Sequence, residues 1–85
     1  MNVPRYQIDL APSAWEDLDR LPCDDATRIL KKIRRMENGL VGDIKRMQNS
    51  DFGYRLRAGN YRVLFDVVKQ QIIVRKIGNR KDVYE

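Results

Sequence analysis

The chain has 85 residues, 42% of them hydrophobic, a net charge of +5 and one cysteine. That length suits one domain over residues 1–85 with a lean core, and that hydrophobic content excludes global disorder. A lone cysteine excludes an internal disulfide and, with no histidine beside it, a structural zinc site. No run approaches the ~18 apolar residues of a membrane span, and the start MNVPRYQIDL lacks the apolar stretch of a signal peptide, so the expected compartment is the cytoplasm.

The segment YQIDL alternates, with Tyr6, Ile8 and Leu10 on one side, and predicts a short strand. APSAWEDLDRL follows as a helix, with Pro12 suited to its first turn and a capping box from Ser13 to Glu16 as a competing start. Trp15, Leu18 and Leu21 form its apolar stripe, so Trp15 is expected in the core. Pro22 ends this helix. Asp24 or Asp25 then caps a second one running to about Glu37, with Ala26, Ile29, Leu30, Ile33 and Met36 on one face. Cys23 reads as a bystander thiol near its start. Lys31, Lys32, Arg34 and Arg35 lie on the other face or its borders, as solvated flank or as contacts to nucleic acid. Asn38-Gly39 is a stop signal. The two helices are expected to pair antiparallel with one apolar side. LVGDIKRMQNSDFG reads as irregular or weakly extended.

From Tyr54 the pattern turns to period two, and YRLRAGNYRVLFDVVKQQIIVRKI predicts a three-stranded meander. A type II′ turn at Gly59-Asn60 pairs Ala58 with Tyr61, Arg57 with Arg62, Leu56 with Val63, Arg55 with Leu64 and Tyr54 with Phe65. A second turn at Lys69-Gln70 pairs Val67 with Ile72, Phe65 with Val74 and Leu64 with Arg75, and continues to Ile77 opposite Arg62. One face then carries Tyr54, Leu56, Val63, Phe65, Val67, Ile72 and Val74 and is expected to lie under the helices. The other carries Arg55, Arg57, Arg62, Leu64, Asp66, Ile73, Arg75 and Ile77.

Charge follows the same division. Residues 1–42 hold seven Lys/Arg and seven Asp/Glu, and residues 43–85 hold ten and five, so the whole +5 sits in the second half. Such asymmetry suits an anionic partner for one face. Arg57 opposite Arg62, with Arg55 one step along, sets like charges together, which costs stability unless an anion or solvent screens them. Arginine's planar fork suits phosphate. The residue pattern leaves two readings open, a phosphate site and a solvated basic surface. The same register returns Gly78, Asn79, Arg80 and Lys81 to the end where Arg57 and Arg62 stand.

YRLRAGNYRVLFDV, a third strand and then IGNRKDVY resemble the RelE/ParE family of bacterial and archaeal toxins, and YQIDLAPSAWEDLDRLP with a basic amphipathic helix is similar too. The resemblance covers essentially the whole chain. It implies an α+β fold in which an antiparallel helix pair packs on one face of a small, mostly antiparallel sheet joined by the N-terminal strand.

For function, the resemblance implies a toxin of a type II toxin–antitoxin system. RelE-type members are ribosome-dependent endoribonucleases that cut mRNA in the A site, ParE-type members inhibit DNA gyrase without nuclease activity, and both are held inactive by a cognate antitoxin. An inactive nucleic-acid-binding relative is a further alternative. Carried over by position, Arg57, Arg62, Arg80 and Tyr84 are the implied catalytic residues. Arg55 and Lys45, with Arg75 and Lys81, are the implied RNA-binding residues. Tyr84 is implied as proton acceptor, base-stacking platform or edge packing. Gly53 stands where some members have lysine, and Asn79 where many have histidine. No cofactor or metal is expected. The expected partners are an antitoxin, in a hetero-oligomer, and the ribosome with its mRNA.

Overall fold

The computed structural model describes residues 5–40 and 42–83. In chain order the elements are β1 (Gln7–Leu10), α1 (Pro12–Asp19), α2 (Cys23–Arg35), a 3₁₀ turn (Met36–Asn38), β2 (Ile44–Arg46), β3 (Tyr54–Ala58), β4 (Tyr61–Val68), β5 (Gln71–Asn79) and α3 (Arg80–Val83). The five strands form one sheet in the order β1-β5-β4-β3-β2, antiparallel except for β1, which runs parallel to β5. The expected sheet is thus present, with one strand more: the segment read as irregular contributes β2 at the edge, too short and too polar to show a period.

The helix starts follow proline rather than side-chain caps. Pro12 opens α1, Ala11 at the N-cap offers no side-chain bond, and Ser13 Oγ donates instead to the Arg75 carbonyl at 2.7 Å. The expected Asp24 or Asp25 cap is replaced by Pro22, and both aspartates fall in the first turn of α2, where they favour its positive end. The last turn of α2 carries Lys32, Arg34 and Arg35 at the negative end, and the chain tightens into the 3₁₀ turn before Gly39, whose φ of 141° releases it.

The core lies between the helices and one sheet face. Ala14, Leu18, Ile29, Ile33 and Met36 meet Leu56, Ala58, Val63, Phe65, Ile72, Val74 and Ile77. Tyr54 stacks on Phe65 with ring centroids 5.4 Å apart. Two expectations fail here. Trp15 is 51% exposed, because α1 turns Ala14 and Leu18 inward and leaves the indole on its outer side. Ile77 is buried in the core rather than on the opposite face. A β-bulge explains it. The pairing slips between Leu64 and Phe65, so Leu64 meets Lys76 instead of Arg75, and Ile77 meets Val63 instead of Arg62. One extra residue reverses every side chain beyond it. No helix among the described residues is long and apolar enough to cross a membrane.

Candidate functional site

The β3–β4 hairpin has the expected register throughout, from Tyr54 opposite Phe65 to Ala58 opposite Tyr61. Gly59 takes a φ of 62° at the first loop position, the left-handed value a two-residue hairpin turn needs. Opposed residues share a face, so Arg57 and Arg62 stand together on the side away from α1 and α2. Arg55 joins them one pleat along. Lys45, expected in a preceding loop, lies in β2 directly opposite Arg55. Lys45, Arg55, Leu64 and Lys76 therefore form one row across four strands, and Arg57, Arg62 and Gly78 the next. An open groove bordered by Lys45, Arg46, Met47, Gln48 and Arg55 runs off the β2 edge.

The cations of this face are held differently. Arg57 is half exposed and approaches Asp43 at 3.7 Å, and its backbone amide donates to the Asp43 carbonyl at 2.9 Å. Arg62 is 3% exposed. Its Nη1 donates to the carbonyls of Gly59 and Tyr61, both at 2.9 Å, so this nitrogen of a buried guanidinium is satisfied by the turn it follows. Leu64, equally buried beside it, makes this face more than a solvated charge layer. Arg75 is the extra residue of the bulge and approaches Asp66 at 3.7 Å. The other Asp66 oxygen accepts from the Gly53 amide at 2.7 Å. A Cβ on Gly53 would come within 3.3 Å of that oxygen, so a lysine there would push Asp66 aside by a few tenths of an ångström.

The C-terminal segment reaches the same corner. The Arg80 amide donates to the Asn60 carbonyl at 2.9 Å, docking the start of α3 on the hairpin turn. Asn79 caps that start, its Oδ1 accepting from the Lys81 amide at 3.0 Å. Asn79 thus has a structural duty where histidine was the implied residue. Tyr84 lies outside the described residues. Arg55, Arg57, Arg62, Lys45 and Arg80 are thereby gathered at one end of the sheet, whereas Arg75 sits further along, against Asp66.

Sequence reasoning missed three participants. Asp43 has no periodic context to mark it. Lys76 joins the face only through the bulge. Asp25 accepts a hydrogen bond from the Tyr61 hydroxyl at 2.9 Å, across 36 positions of sequence. That carboxylate raises the phenol's pKa above its ordinary value near 10 by accepting its proton in a hydrogen bond, with burial and charge repulsion adding to the effect.

Residues 8–84 match the family model described as the ParE toxin of type II toxin–antitoxin system, parDE. Toxin RelE3 of Methanocaldococcus jannaschii is 33% identical over 84 residues, covering 93% of this chain and 96% of its own. The RelB-RelE antitoxin–toxin complex from Methanococcus jannaschii contains a chain 32% identical to this one, with a TM-score of 0.73 over 88% of this chain and 93% of that one. The toxin–antitoxin complex RelBE2 from Mycobacterium tuberculosis shares the fold alone, with a TM-score of 0.78 at 16% identity over 89% and 99% of the two chains. Matched along nearly its whole length in sequence and in fold, the chain belongs to the RelE/ParE family of toxins of type II toxin–antitoxin systems.

Proposed function

We propose that this toxin acts on translation as a RelE-type endoribonuclease that cuts mRNA in the ribosomal A site without a metal. The observation that carries the reading is the in-register convergence of Lys45, Arg55, Arg57 and Arg62 on the sheet face opposite α1 and α2, with Arg80 docked beside them. In the proposed reaction an RNA 2′-oxygen attacks the adjacent phosphorus and loses its proton to an acceptor. The bond to the 5′-oxygen breaks and that oxygen takes up a proton, leaving a 2′,3′-cyclic phosphate. Charge grows on the phosphoryl and leaving oxygens, where fixed cations lower the barrier most. Arg57, Arg62 and Arg80 are assigned to those oxygens, Lys45 and Arg55 to the flanking backbone, with Arg75 and Lys81 as outer contacts. Arginine stays protonated and cannot be the acceptor. Tyr84 is assigned to the substrate, as acceptor or stacking platform.

Orientation of the RNA by the ribosome supplies much of the remaining rate, so free RNA is cut slowly. The partner is a small antitoxin that wraps the helices and covers or distorts the basic face, in keeping with the RelB partners of the solved relatives. The match to the ParE model supports a second reading, a gyrase inhibitor without nuclease activity. One experiment separates them: wild type and an Arg57→Ala/Arg80→Ala variant are induced in cells, and mRNA ends and DNA breaks are mapped. Cuts at A-site codons that vanish in the variant support the nuclease. DNA breaks with intact mRNA overturn it in favour of gyrase.

A further inference from the structure

Three consecutive carbonyls of the β3–β4 turn accept hydrogen bonds from the proposed site. Gly59 and Tyr61 take Arg62 Nη1, and Asn60 takes the Arg80 amide, each at 2.9 Å. The turn is therefore the common support of two arginines that are 18 positions apart in sequence. A two-residue turn at a sheet's end has few restraints of its own. Here the Tyr61 hydroxyl donates to Asp25 in the first turn of α2 at 2.9 Å. Neighbouring residues on a strand point to opposite faces. Tyr61 thus reaches the helix side while Arg62 lies on the basic side. Motion of the turn relative to α2 passes directly to Arg62 and Arg80.

We propose that Tyr61 and Asp25 are positioning residues for the toxin's reaction, a tether that fixes the turn and through it the Arg62 guanidinium and the start of α3. The proposal rests on the nuclease reading for its kinetic consequence and on the hydrogen bonds alone for its mechanical one. Losing the tether leaves the basic surface intact, so substrate binding is kept while the alignment needed in the transition state is lost.

The test uses Tyr61→Phe, Asp25→Ala, their double mutant and Asp25→Asn, which keeps an acceptor oxygen. On mRNA-programmed ribosomes, Tyr61→Phe and Asp25→Ala are expected to lower kcat about tenfold at unchanged KM. The double mutant is expected to be no worse than either, and Asp25→Asn to retain most of the rate. In parallel, amide hydrogen exchange of Arg80 is expected to speed about tenfold in Tyr61→Phe while the Val63 and Ile72 amides keep wild-type protection. Wild-type kcat in Tyr61→Phe, losses that multiply in the double mutant, or unchanged Arg80 exchange each overturns the tether. If the wild type cuts no mRNA, the nuclease reading fails, and the exchange measurement decides the tether by itself.

Discussion

The carboxylate of Asp17 in α1 accepts a hydrogen bond from the backbone amide of Ile77 at 2.9 Å. Ile77 stays paired with Val63 of β4, but β1 ends opposite Val74, so beyond that point the other edge of β5 meets α1. Asp17 therefore supplies an acceptor on the edge of β5 that β1 no longer covers, and α1 is fastened to that strand. An amide left without its charged acceptor costs about 1–3 kcal/mol. Asp17→Ala is expected to lower the urea midpoint correspondingly, and Asp17→Asn, which keeps an acceptor, to lose less. An unchanged midpoint in Asp17→Ala would show that this edge of β5 needs no such support.

The bulge also marks the boundary of what the sequence disclosed. Alternation from Tyr54 to Val74 carries the register, because a one-residue slip would bury arginines and expose Phe65 and Val63. The glycine at position 59 fixes the first turn. The clustering of Arg55, Arg57 and Arg62 followed from those two facts. Nothing local signals that Arg75 is an extra residue. Its insertion is held by Ser13, 62 positions away, and by Asp66 on the neighbouring strand. Trp15 departs from the expected core for a related reason. Its spacing with Leu18 fits an inward stripe, but Ala14 faces the sheet and allows α1 a close approach that the indole would prevent. Lys45 and the Asp25–Tyr61 bond depend on which edge and which helix turn meet in space, so neither leaves a periodic trace.

The second hairpin turn carries a strained residue. Lys69 has a φ of 56°, in the left-handed region that costs a side chain about 1–2 kcal/mol. Glycine adopts this backbone freely but loses more entropy on folding, about 0.5–1 kcal/mol. Lys69→Gly is therefore expected to stabilise the fold by roughly 0.5–1 kcal/mol. Thermal unfolding of Lys69→Gly beside Gln70→Gly checks it, since the second variant relieves no strain and is expected to lose stability.

Arg57 and Arg62 face each other yet predict different stability profiles. Arg57 makes one exposed ion pair with Asp43 at 3.7 Å, a contact that contributes at most about 1 kcal/mol. Arg62 is buried, and its removal strands two turn carbonyls, at a cost of about 1–3 kcal/mol. Arg57→Ala should unfold close to wild type in urea and Arg62→Ala clearly earlier. Loss of a cation at developing charge costs about 10²–10³-fold in rate. A near-wild-type midpoint with that loss of ribosome-dependent cleavage in Arg57→Ala separates chemistry from folding. Full cleavage by Arg57→Ala would remove Arg57 from the site.

The Tyr61–Asp25 bond predicts an alkaline signature. The phenol's pKa is raised above 10, chiefly by the hydrogen bond it donates to Asp25, so folding favours the protonated form. The sign follows from linkage: the contribution to stability is complete below the unfolded value near 10 and disappears as pH rises through the higher folded value. Ionisation would set a phenolate against a carboxylate and release the turn. In a spectrophotometric titration of the folded protein, the component lost in Tyr61→Phe should lie above that of an unperturbed tyrosine. The stability difference between wild type and Tyr61→Phe should hold steady up to pH ~10 and shrink beyond it. A Tyr61 component at or below pH ~10 would mean that the bond to Asp25 does not persist in solution.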